Sequence, residues 1–402
     1  MRFRIADNQR LPQKLPAVVK TKQAMKLFRF IAAILTVAST VIAAPANPEP
    51  SIYYQPDGTE TTLIYLKGNQ FYNWLCDDKG YTVIKDEHGW YNYAMKTEDG
   101  DIVSSGIKLG SKNPKKLGIV PGLMHDEHKR PMHGLVQGAE STTERRSLLQ
   151  VPENALCGYA GSKDDPCRLR GIVFLVQFSD HRSRTLPSQQ EYDMLFNNNG
   201  PDKVAAPTGS VSDVYFENSY QTFIMQSYVT PWLKVNRTEA QTVDGNLGLN
   251  MAGTMQTWND AMAMFDKMGI VDLNTFDKDK DGNFDCVVIL HSGTPAETGG
   301  IDCESGKDTN GRIWSHATSS NLYSTAGGIT KVDRFYVASG VFGVCPPLGK
   351  GTKWNIARVA VIAHECAHFL GLPDLYDTDG GQGIGNFDVM GKFTKASTNH
   401  VA

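Results

Sequence analysis

GIVFLVQF, residues 171–178, is an almost uninterrupted apolar run with the length of one β-strand. A strand that is apolar on both faces is typical of the centre of a sheet covered on both sides. Residues 284–291 and 334–341 have the same character, whereas residues 251–268 and 354–370 carry apolar residues at helical spacing. Strands and helices therefore interleave, which predicts an α/β or α+β fold.

The composition is that of a soluble globular protein. Of the 402 residues, 41% are hydrophobic and 21% are charged, which excludes collagen-like, coiled-coil and wholly disordered chains. The 40 Lys and Arg residues nearly balance the 43 Asp and Glu residues, for a net charge of −3, and they form no basic stripe. We therefore expect no nucleic-acid partner.

An uncharged, mostly apolar stretch from Phe30 to Ala44 follows the basic residues Lys26 and Arg29. It is shorter than the about 20 residues that a membrane-spanning helix needs, and small residues and prolines follow it. We interpret residues 1–46 as an N-terminal extension with a cleaved secretory signal peptide; an uncleaved signal anchor is the alternative. The chain is then secreted without a stable membrane anchor, and its seven cysteines fit some disulfides with at least one thiol left over.

The region that follows the leader alternates short aromatic and β-branched runs with turn signals such as Asp57-Gly58. This pattern predicts a small β-rich module at residues 47–118. Residues 119–150 are rich in Pro, Gly, His and charge and contain Glu144-Arg145-Arg146, which is typical of an exposed linker with a processing site. A removable module and a cleavable linker before a domain at 151–402 are what a secreted zymogen requires.

The sequence His364-Glu365-Cys366-Ala367-His368 lies within the C-terminal helical pattern. Residues four apart share one face of a helix, so both imidazoles can reach one ion, while Glu365 projects towards a ligand on that ion. This spacing predicts a zinc hydrolase in which Glu365 takes the proton of a zinc-bound water and passes it to the leaving amine. The alternative is an ordinary amphipathic helix with two hydrogen-bonded histidines.

A third metal ligand is expected just beyond this helix. Gly371 breaks the helix, and Asp374 follows three residues later, where a turned chain can offer a carboxylate to the same ion. Asp377 and Tyr376 compete with Asp374 for this role or for a role behind the ligands.

The string HECAHFLGLPDLYD, residues 364–377, followed by FDVM, residues 387–390, resembles the secreted metallopeptidases of the immune inhibitor A type, relatives of the metzincins. The resemblance implies that His364 and His368 are zinc ligands, Glu365 is the general base and Asp374 is the third ligand. It further implies that Gly371 turns the chain and that Met390 lies in a methionine turn beneath the metal.

The resemblance extends beyond the helix. In the same order, GIVFLVQFSD (171–180), GSVSDVYFENSY (209–220), DKDKDGNFDCVVILHSG (277–293) and IWSH (313–316) are similar to blocks of this family. It implies a metzincin-like zincin catalytic domain with a mixed sheet and an active-site helix. The N-terminal string FYNWLCDDKGYTVIKDEHGWYNYA (71–94) is more loosely similar to the family's propeptide, which implies that the module inhibits its own enzyme. Only 12 residues follow Met390, so we expect a C-terminally shortened domain.

A second metal site is predicted in the acidic loop after residue 276. Its carboxylates stand at alternate positions with a glycine at the sixth, as in loops that wrap a hard cation such as Ca²⁺: Asp277, Asp279, Asp281 and Asp285. Position twelve is Val288 instead of Glu, so the loop is not an EF-hand. The alternative is an Asp-rich turn that faces water.

Two further histidines lie near these motifs. His291 ends a predicted strand and His316 follows Trp314. We interpret each as a hydrogen-bonded core or surface residue, with a place in the cleft as the alternative.

The sequence therefore predicts a secreted zinc metalloendopeptidase that is made as a zymogen and cleaves peptide bonds in proteins, with Ca²⁺ as a second ion. One rival is a catalytically inactive secreted metal-binding protein that retains the fold. Another is a calcium-stabilised surface module with incidental histidines.

Overall fold

The computed structural model describes residues 41–69, 72–124, 161–249, 251–344, 353–376, 383–385 and 387–391. The predicted leader up to residue 40 and most of the predicted linker lie outside these ranges. Within them, no helix combines the length and the apolar character that crossing a bilayer would require.

The largest sheet has six strands in the order β1-β10-β11-β9-β7-β8. Its strands are β1 (Val41–Ala43), β7 (Cys167–Gln177), β8 (Phe223–Lys234), β9 (Val287–His291), β10 (His316–Ser324) and β11 (Lys331–Ser339). Strands β7, β8, β9 and β11 run parallel to one another. At one edge β10 pairs antiparallel with β11, and β1 pairs antiparallel with β10. The sheet is therefore mixed, as predicted, and β7 lies inside it.

Within the described ranges, five α-helices accompany this sheet. They are α1 (Gln189–Asn197), α2 (Val211–Asn218), α3 (Glu239–Val243), α4 (Met251–Met268) and α5 (Val359–Phe369). Helix α4 has the bounds that the apolar spacing predicts. Strands and helices alternate along the chain, so the predicted α/β or α+β class agrees with the structure.

Strand β7 explains why the sheet has two cores. Val173 and Leu175 contribute to a core that includes residues of α5, whereas Phe174 and Val176 contribute to a second core with residues of α4. Alternate side chains of a strand point to opposite faces, so a strand that is apolar throughout supplies both cores. The α5 face and the α4 face of the sheet are named accordingly below.

The N-terminal region forms a separate five-stranded antiparallel sheet in sequence order. Its strands are β2 (Tyr65–Gly68), β3 (Asn73–Cys76), β4 (Thr82–Lys85), β5 (Tyr91–Lys96) and β6 (Ile102–Lys108). A cluster of buried tyrosines and aliphatic residues, including Tyr53, Tyr91 and Tyr93, forms its core. The region is β-rich as predicted; the boundaries of module, linker and catalytic domain stay predictions.

The predicted helix at residues 354–370 is wrong at its start. Strand β13 (Lys353–Ile356) pairs antiparallel with β12 (Val341–Val344), and helix α5 begins only at Val359. Trp354 and Ile356 favour a strand when a partner strand is available, because tertiary pairing overrides a helical spacing of apolar residues.

Candidate metal centre

Helix α5 carries both histidines of the motif, and a glycine determines how it ends. Gly371 follows the helix with φ of 79°, a left-handed conformation that glycine adopts without steric cost. Its N–H donates to the His368 carbonyl at 3.0 Å, and the Leu372 N–H donates to the Ala367 carbonyl at 3.3 Å. These two bonds form a Schellman closure. The chain therefore turns directly after His368 and brings Asp374 beside the helix.

Three predicted ligand atoms converge at this turn. The rings of His364 and His368 have centroids 5.0 Å apart. Oδ1 of Asp374 lies 3.0 Å from Nε2 of His364 and 3.5 Å from Nε2 of His368. All three atoms lie within 4.8 Å of one another. Both histidines are buried, whereas the Asp374 side chain is 23% exposed.

Backbone carbonyls set the protonation of both imidazoles. Nδ1 of His364 lies 2.9 Å from the Val389 carbonyl oxygen, and Nδ1 of His368 lies 2.8 Å from the Leu372 carbonyl oxygen. A carbonyl only accepts hydrogen bonds, so each Nδ1 carries the proton and each Nε2 presents a lone pair. Burial also lowers the pKa of His368, which favours the neutral form that binds metals.

The residues present fit a zinc ion. Nε2 of His368 and Oδ1 of Asp374 are buried and have no hydrogen-bond partner among the described residues. Such atoms are costly to bury unless something satisfies them. Two imidazole lone pairs and one carboxylate oxygen form a donor set that zinc prefers, with room for a further ligand. His364, His368 and Asp374 would therefore hold the ion.

Glu365 lies beside these ligands, fully buried in the same helix. Neither carboxylate oxygen has a hydrogen-bond partner among the described residues. Burial raises the pKa of Glu365 well above its usual value, and the charges of Asp374 and Glu297 add to this effect. A buried acid next to three candidate metal ligands is placed to move a proton.

The remaining predicted residues of this centre have different surroundings. Met390 is buried in the α5-side core, and its carbonyl accepts the Leu375 N–H at 2.8 Å. The Tyr376 hydroxyl donates to Oδ2 of Asp374 at 3.2 Å, so it contacts one of the three converging side chains. Asp377 lies outside the described residues.

A segment of the N-terminal region lies over Glu365. Strand β1 pairs antiparallel with β10, from Val41 opposite Thr318 to Ala43 opposite His316. The next residue, Ala44, donates its N–H to the Ser315 carbonyl at 3.3 Å. The same N–H lies close enough to Glu365 to oppose the effect of burial on the pKa of that carboxyl. The segment is thus an extended peptide that passes next to the candidate base.

The structure brings together three of the four predicted calcium ligands. Carboxylate oxygens of Asp277, Asp279 and Asp285 lie within 4.8 Å of one another. Burial, with the neighbouring aspartates, raises the pKa of Asp285 to about 7. Asp281 is not part of this group; its carboxylate accepts the Asn283 N–H at 2.7 Å.

The other two histidines are buried away from the ligands. His291 lies on the α4 face of the sheet, with its ring 5.8 Å from Phe178 and 6.5 Å from Trp258. His316 is buried at the start of β10, with Nδ1 2.7 Å from the Trp314 carbonyl oxygen. Both agree with the interpretation as hydrogen-bonded core residues.

Sequence reasoning missed several groups of the site. The carbonyls of Val389 and Leu372 orient the imidazoles, but a backbone group leaves no signature in the residue type. The contacts of Ala44 were also missed: its carbonyl accepts the Trp314 indole N–H at 2.7 Å, and its N–H donates to the Ser315 carbonyl at 3.3 Å. The one available signal was the string IWSH, to which no role was given.

The described cysteines include both disulfide-bonded and free residues, in agreement with the prediction of some disulfides and at least one thiol left over. Cys167 and Cys303 are disulfide-bonded, whereas Cys76, Cys286 and Cys366 are free and buried. Cys157 and Cys345 lie outside the described residues.

A comparison with known protein families matches residues 184–398, more than half of the chain, to the immune inhibitor A peptidase M6 catalytic domain. The chain belongs to this family. The match includes helix α5, Asp374 and Met390, and it confirms the resemblance drawn from the motifs.

One curated relative of this M6 family is named Immune inhibitor A and comes from Bacillus thuringiensis subsp. alesti. It is 27% identical to this chain over an alignment 243 residues long, which covers 52% of this chain and 33% of the relative. The chain thus matches about a third of the length of the relative.

Proposed function

We propose that the chain is a secreted zinc endopeptidase that hydrolyses peptide bonds in proteins. The observation that carries this proposal is the convergence of His364, His368 and Asp374 beside the buried Glu365. Membership of the M6 peptidase family supports the same activity.

Glu365 has the position of the general base. Zinc, when bound, supplies Lewis acidity and a positive charge that favours the ionised form of nearby acids. Glu365 takes the proton of the attacking water and returns it to the amine that leaves. The desolvated surroundings of Glu365 favour both transfers, because no bulk water competes for the proton.

Secretion is supported by the predicted leader and by the disulfide-bonded state of Cys167 and Cys303. Disulfides persist in oxidising compartments and are rare in a reducing cytosol. N-terminal sequencing of the secreted protein shows whether the predicted leader ends near residue 46; an intact membrane-bound leader contradicts its cleavage.

The chain is proposed to be made as a zymogen, with residues 47–118 as its inhibitory propeptide and the linker at 119–150 as the processing site. The backbone N–H of Ala44 lies close to Glu365, and Ala44 lies within the predicted leader. Residues that follow the leader contact the loop that contains Glu297 and Gly300. The Asn47 N–H donates to the Glu297 carbonyl at 2.8 Å, and the Gly300 N–H donates to the Tyr53 hydroxyl at 2.9 Å. These two contacts would persist after the leader is removed.

The test compares the full chain with its Glu365→Gln variant, before and after limited cleavage in the linker by a trypsin-like protease. We expect casein cleavage only after processing, and a loss of about 10²- to 10⁴-fold in turnover in the variant, because a proton-transfer group is removed. Zinc content should be equal in both proteins, since Glu365 is not among the three converging ligand atoms.

Two outcomes contradict the proposal. Normal turnover in the variant shows that Glu365 is not the base. No cleavage by the processed wild type, with or without a chelator, favours the inactive metal-binding protein that retains the fold.

The acidic loop is proposed to hold Ca²⁺ through Asp277, Asp279 and Asp285, whose oxygens converge. Asp279→Asn should lower the affinity for calcium, whereas Asp281→Asn, outside the converging group, is the matched control. Calcium titration followed by thermal unfolding measures both. Equal effects of the two variants contradict this ligand set, and no calcium effect in the wild type favours an Asp-rich turn in water.

A further inference from the structure

The backbone of Ala44 is held at both of its polar groups by the residues that precede β10. Its carbonyl oxygen accepts the indole N–H of Trp314 at 2.7 Å, and its N–H donates to the Ser315 carbonyl at 3.3 Å. Ser315 is itself fixed, because its N–H and hydroxyl both donate to the buried Glu297 carboxylate. An extended peptide is therefore bound at one residue, beside Glu365, by the indole N–H of Trp314 as donor and the Ser315 carbonyl as acceptor.

The indole N–H of Trp314 has its hydrogen-bond acceptor in this peptide. Trp314 is fully buried, and its side-chain donor is satisfied by the Ala44 carbonyl. When the segment leaves, the donor loses that partner, and a buried unpaired donor is costly. A peptide that pairs with β10 in the same direction offers a carbonyl at the same place.

An apolar cradle adjoins this donor. Trp314 packs in one cluster with Leu247 and Ala296, and the N-terminal region fills the cluster with Ala46 and Leu66. The backbone N–H of Trp314 donates to the Leu247 carbonyl at 2.9 Å, and this backbone bond fixes Trp314 against Leu247 in the cradle. Departure of Ala46 and Leu66 exposes apolar surface that a substrate side chain can cover again.

We propose that Trp314 forms a substrate subsite beside Glu365. The indole N–H binds a backbone carbonyl of an extended peptide. The cradle of Leu247, Ala296 and Trp314 receives an apolar side chain two residues further towards the peptide's C-terminus. The proposal rests on the proposed peptidase function and uses the chain's own segment only as a stand-in for a substrate.

The ligand class follows from these contacts. The peptide is extended, pairs antiparallel with β10, and carries an aliphatic side chain at the position of Ala46. A charged side chain there would be buried without a partner and is disfavoured.

The test measures binding, so that it does not depend on turnover. A fluorescently labelled peptide of residues 41–50 is titrated, in the Glu365→Gln background, into the chain that has been cleaved in its linker and separated from its N-terminal fragment, and binding is measured by fluorescence anisotropy. We expect Trp314→Phe, which keeps an aromatic ring and loses the N–H, to weaken binding about tenfold, the effect of one lost hydrogen bond.

Trp258→Phe is the matched control. Trp258 is equally buried, lies on the α4 face, and its indole N–H has no partner among the described residues, so this exchange removes no hydrogen bond. A second arm changes the peptide: Asp in place of Ala46 should abolish measurable binding, whereas Val should be tolerated. Thermal unfolding confirms that both tryptophan variants are folded.

Equal binding by the Trp314→Phe and Trp258→Phe proteins overturns the proposal, as does absence of binding to the protein with both tryptophans intact. Equal binding of the Asp and Val peptides overturns the apolar cradle. Peptide binding with the expected pattern, but no casein cleavage by the processed wild type, leaves the subsite standing and removes the peptidase function.

Discussion

Two pairs of buried histidines lie on opposite faces of the same sheet. On the α5 face, His364 and His368 meet Asp374. On the α4 face, His181 and His291 lie near the buried Glu239, with Nε2 of His181 3.6 Å from Oε2 of Glu239. Both sites combine imidazoles with a carboxylate, so residue type alone does not distinguish them.

The partner of Nδ1 distinguishes the two sites. On the α5 face each Nδ1 faces a carbonyl, which leaves Nε2 as a lone pair. On the α4 face, Nδ1 of His291 accepts the Gly293 N–H at 3.2 Å, and burial lowers the pKa of His291 to about 3, so the ring is neutral and Nε2 carries the proton. An N–H cannot ligate a metal. The first pair can therefore bind zinc, and His291 cannot do so without breaking its contact with Gly293.

The α4-face site also contains a positively charged side chain, Lys307. Lys307 Nζ lies 3.1 Å from Oε2 of Glu239 and 3.3 Å from Oδ2 of Asp180. An ammonium group at this distance supplies the positive charge that the carboxylate would otherwise seek from a metal. The α4-face network of His181, His291, Glu239, Asp180 and Lys307 is thus structural, and its carboxylates pair with a lysine instead of a metal.

The largest expected effect is a loss of zinc, and the test replaces one histidine on each face of the sheet. His364→Gln should lose stoichiometric zinc, an effect beyond the roughly 100-fold that loss of an outer partner produces, whereas His291→Gln should keep it. Zinc is measured on the folded fraction after gel filtration. Loss of zinc in both variants contradicts the assignment by tautomer, and so does its retention in both.

A smaller effect on zinc affinity is expected from Tyr376, which contacts the candidate ligand Asp374. Tyr376→Phe removes the hydroxyl that donates to Oδ2 of Asp374, which leaves that carboxylate free to rotate, and should lower zinc affinity roughly 10- to 100-fold. Competition with a chromogenic chelator measures the change. Tyr192→Phe is the control, because this buried hydroxyl donates to the Gly340 carbonyl instead. Equal affinities of both variants exclude a positioning role for Tyr376.

The smallest expected effect concerns the α4-face network and pH. Burial raises the pKa of Glu239 to about 7, so the folded chain binds a proton that the unfolded chain has released near neutral pH. Glu239 therefore makes the free energy of unfolding fall as pH rises. Between pH 6.5 and 8 we expect a fall of about 1 kcal/mol in the wild type relative to Glu239→Gln.

This window is chosen because burial lowers the pKa of His181, the neighbour of Glu239, to about 4, so His181 is already neutral in the folded chain. The other charged groups near Glu239 are Lys307, Asp180, Arg184 and Asp302. Urea unfolding at the two pH values gives the difference. Parallel pH profiles of the two proteins contradict a buried, protonated Glu239.

Helix α4, the central strand β7 and the shared helix face of His364 and His368 could be predicted from sequence because each depends on local spacing. The strand at Lys353–Ile356 could not, since its pairing with β12 is a tertiary contact. Asp374 was separable from Tyr376 only by geometry, because both follow the same glycine within reach. The placement of Ala44 over Glu365 required knowledge of which edge of the sheet was available.

That edge has a consequence for handling the protein. While β1 covers β10, the backbone groups of residues 316–318 are paired. A chain without this cover presents a bare edge strand, which is a template for strands from other molecules. Concentrated preparations of the processed protein are therefore expected to self-associate, and a tight-binding extended peptide should keep them monomeric.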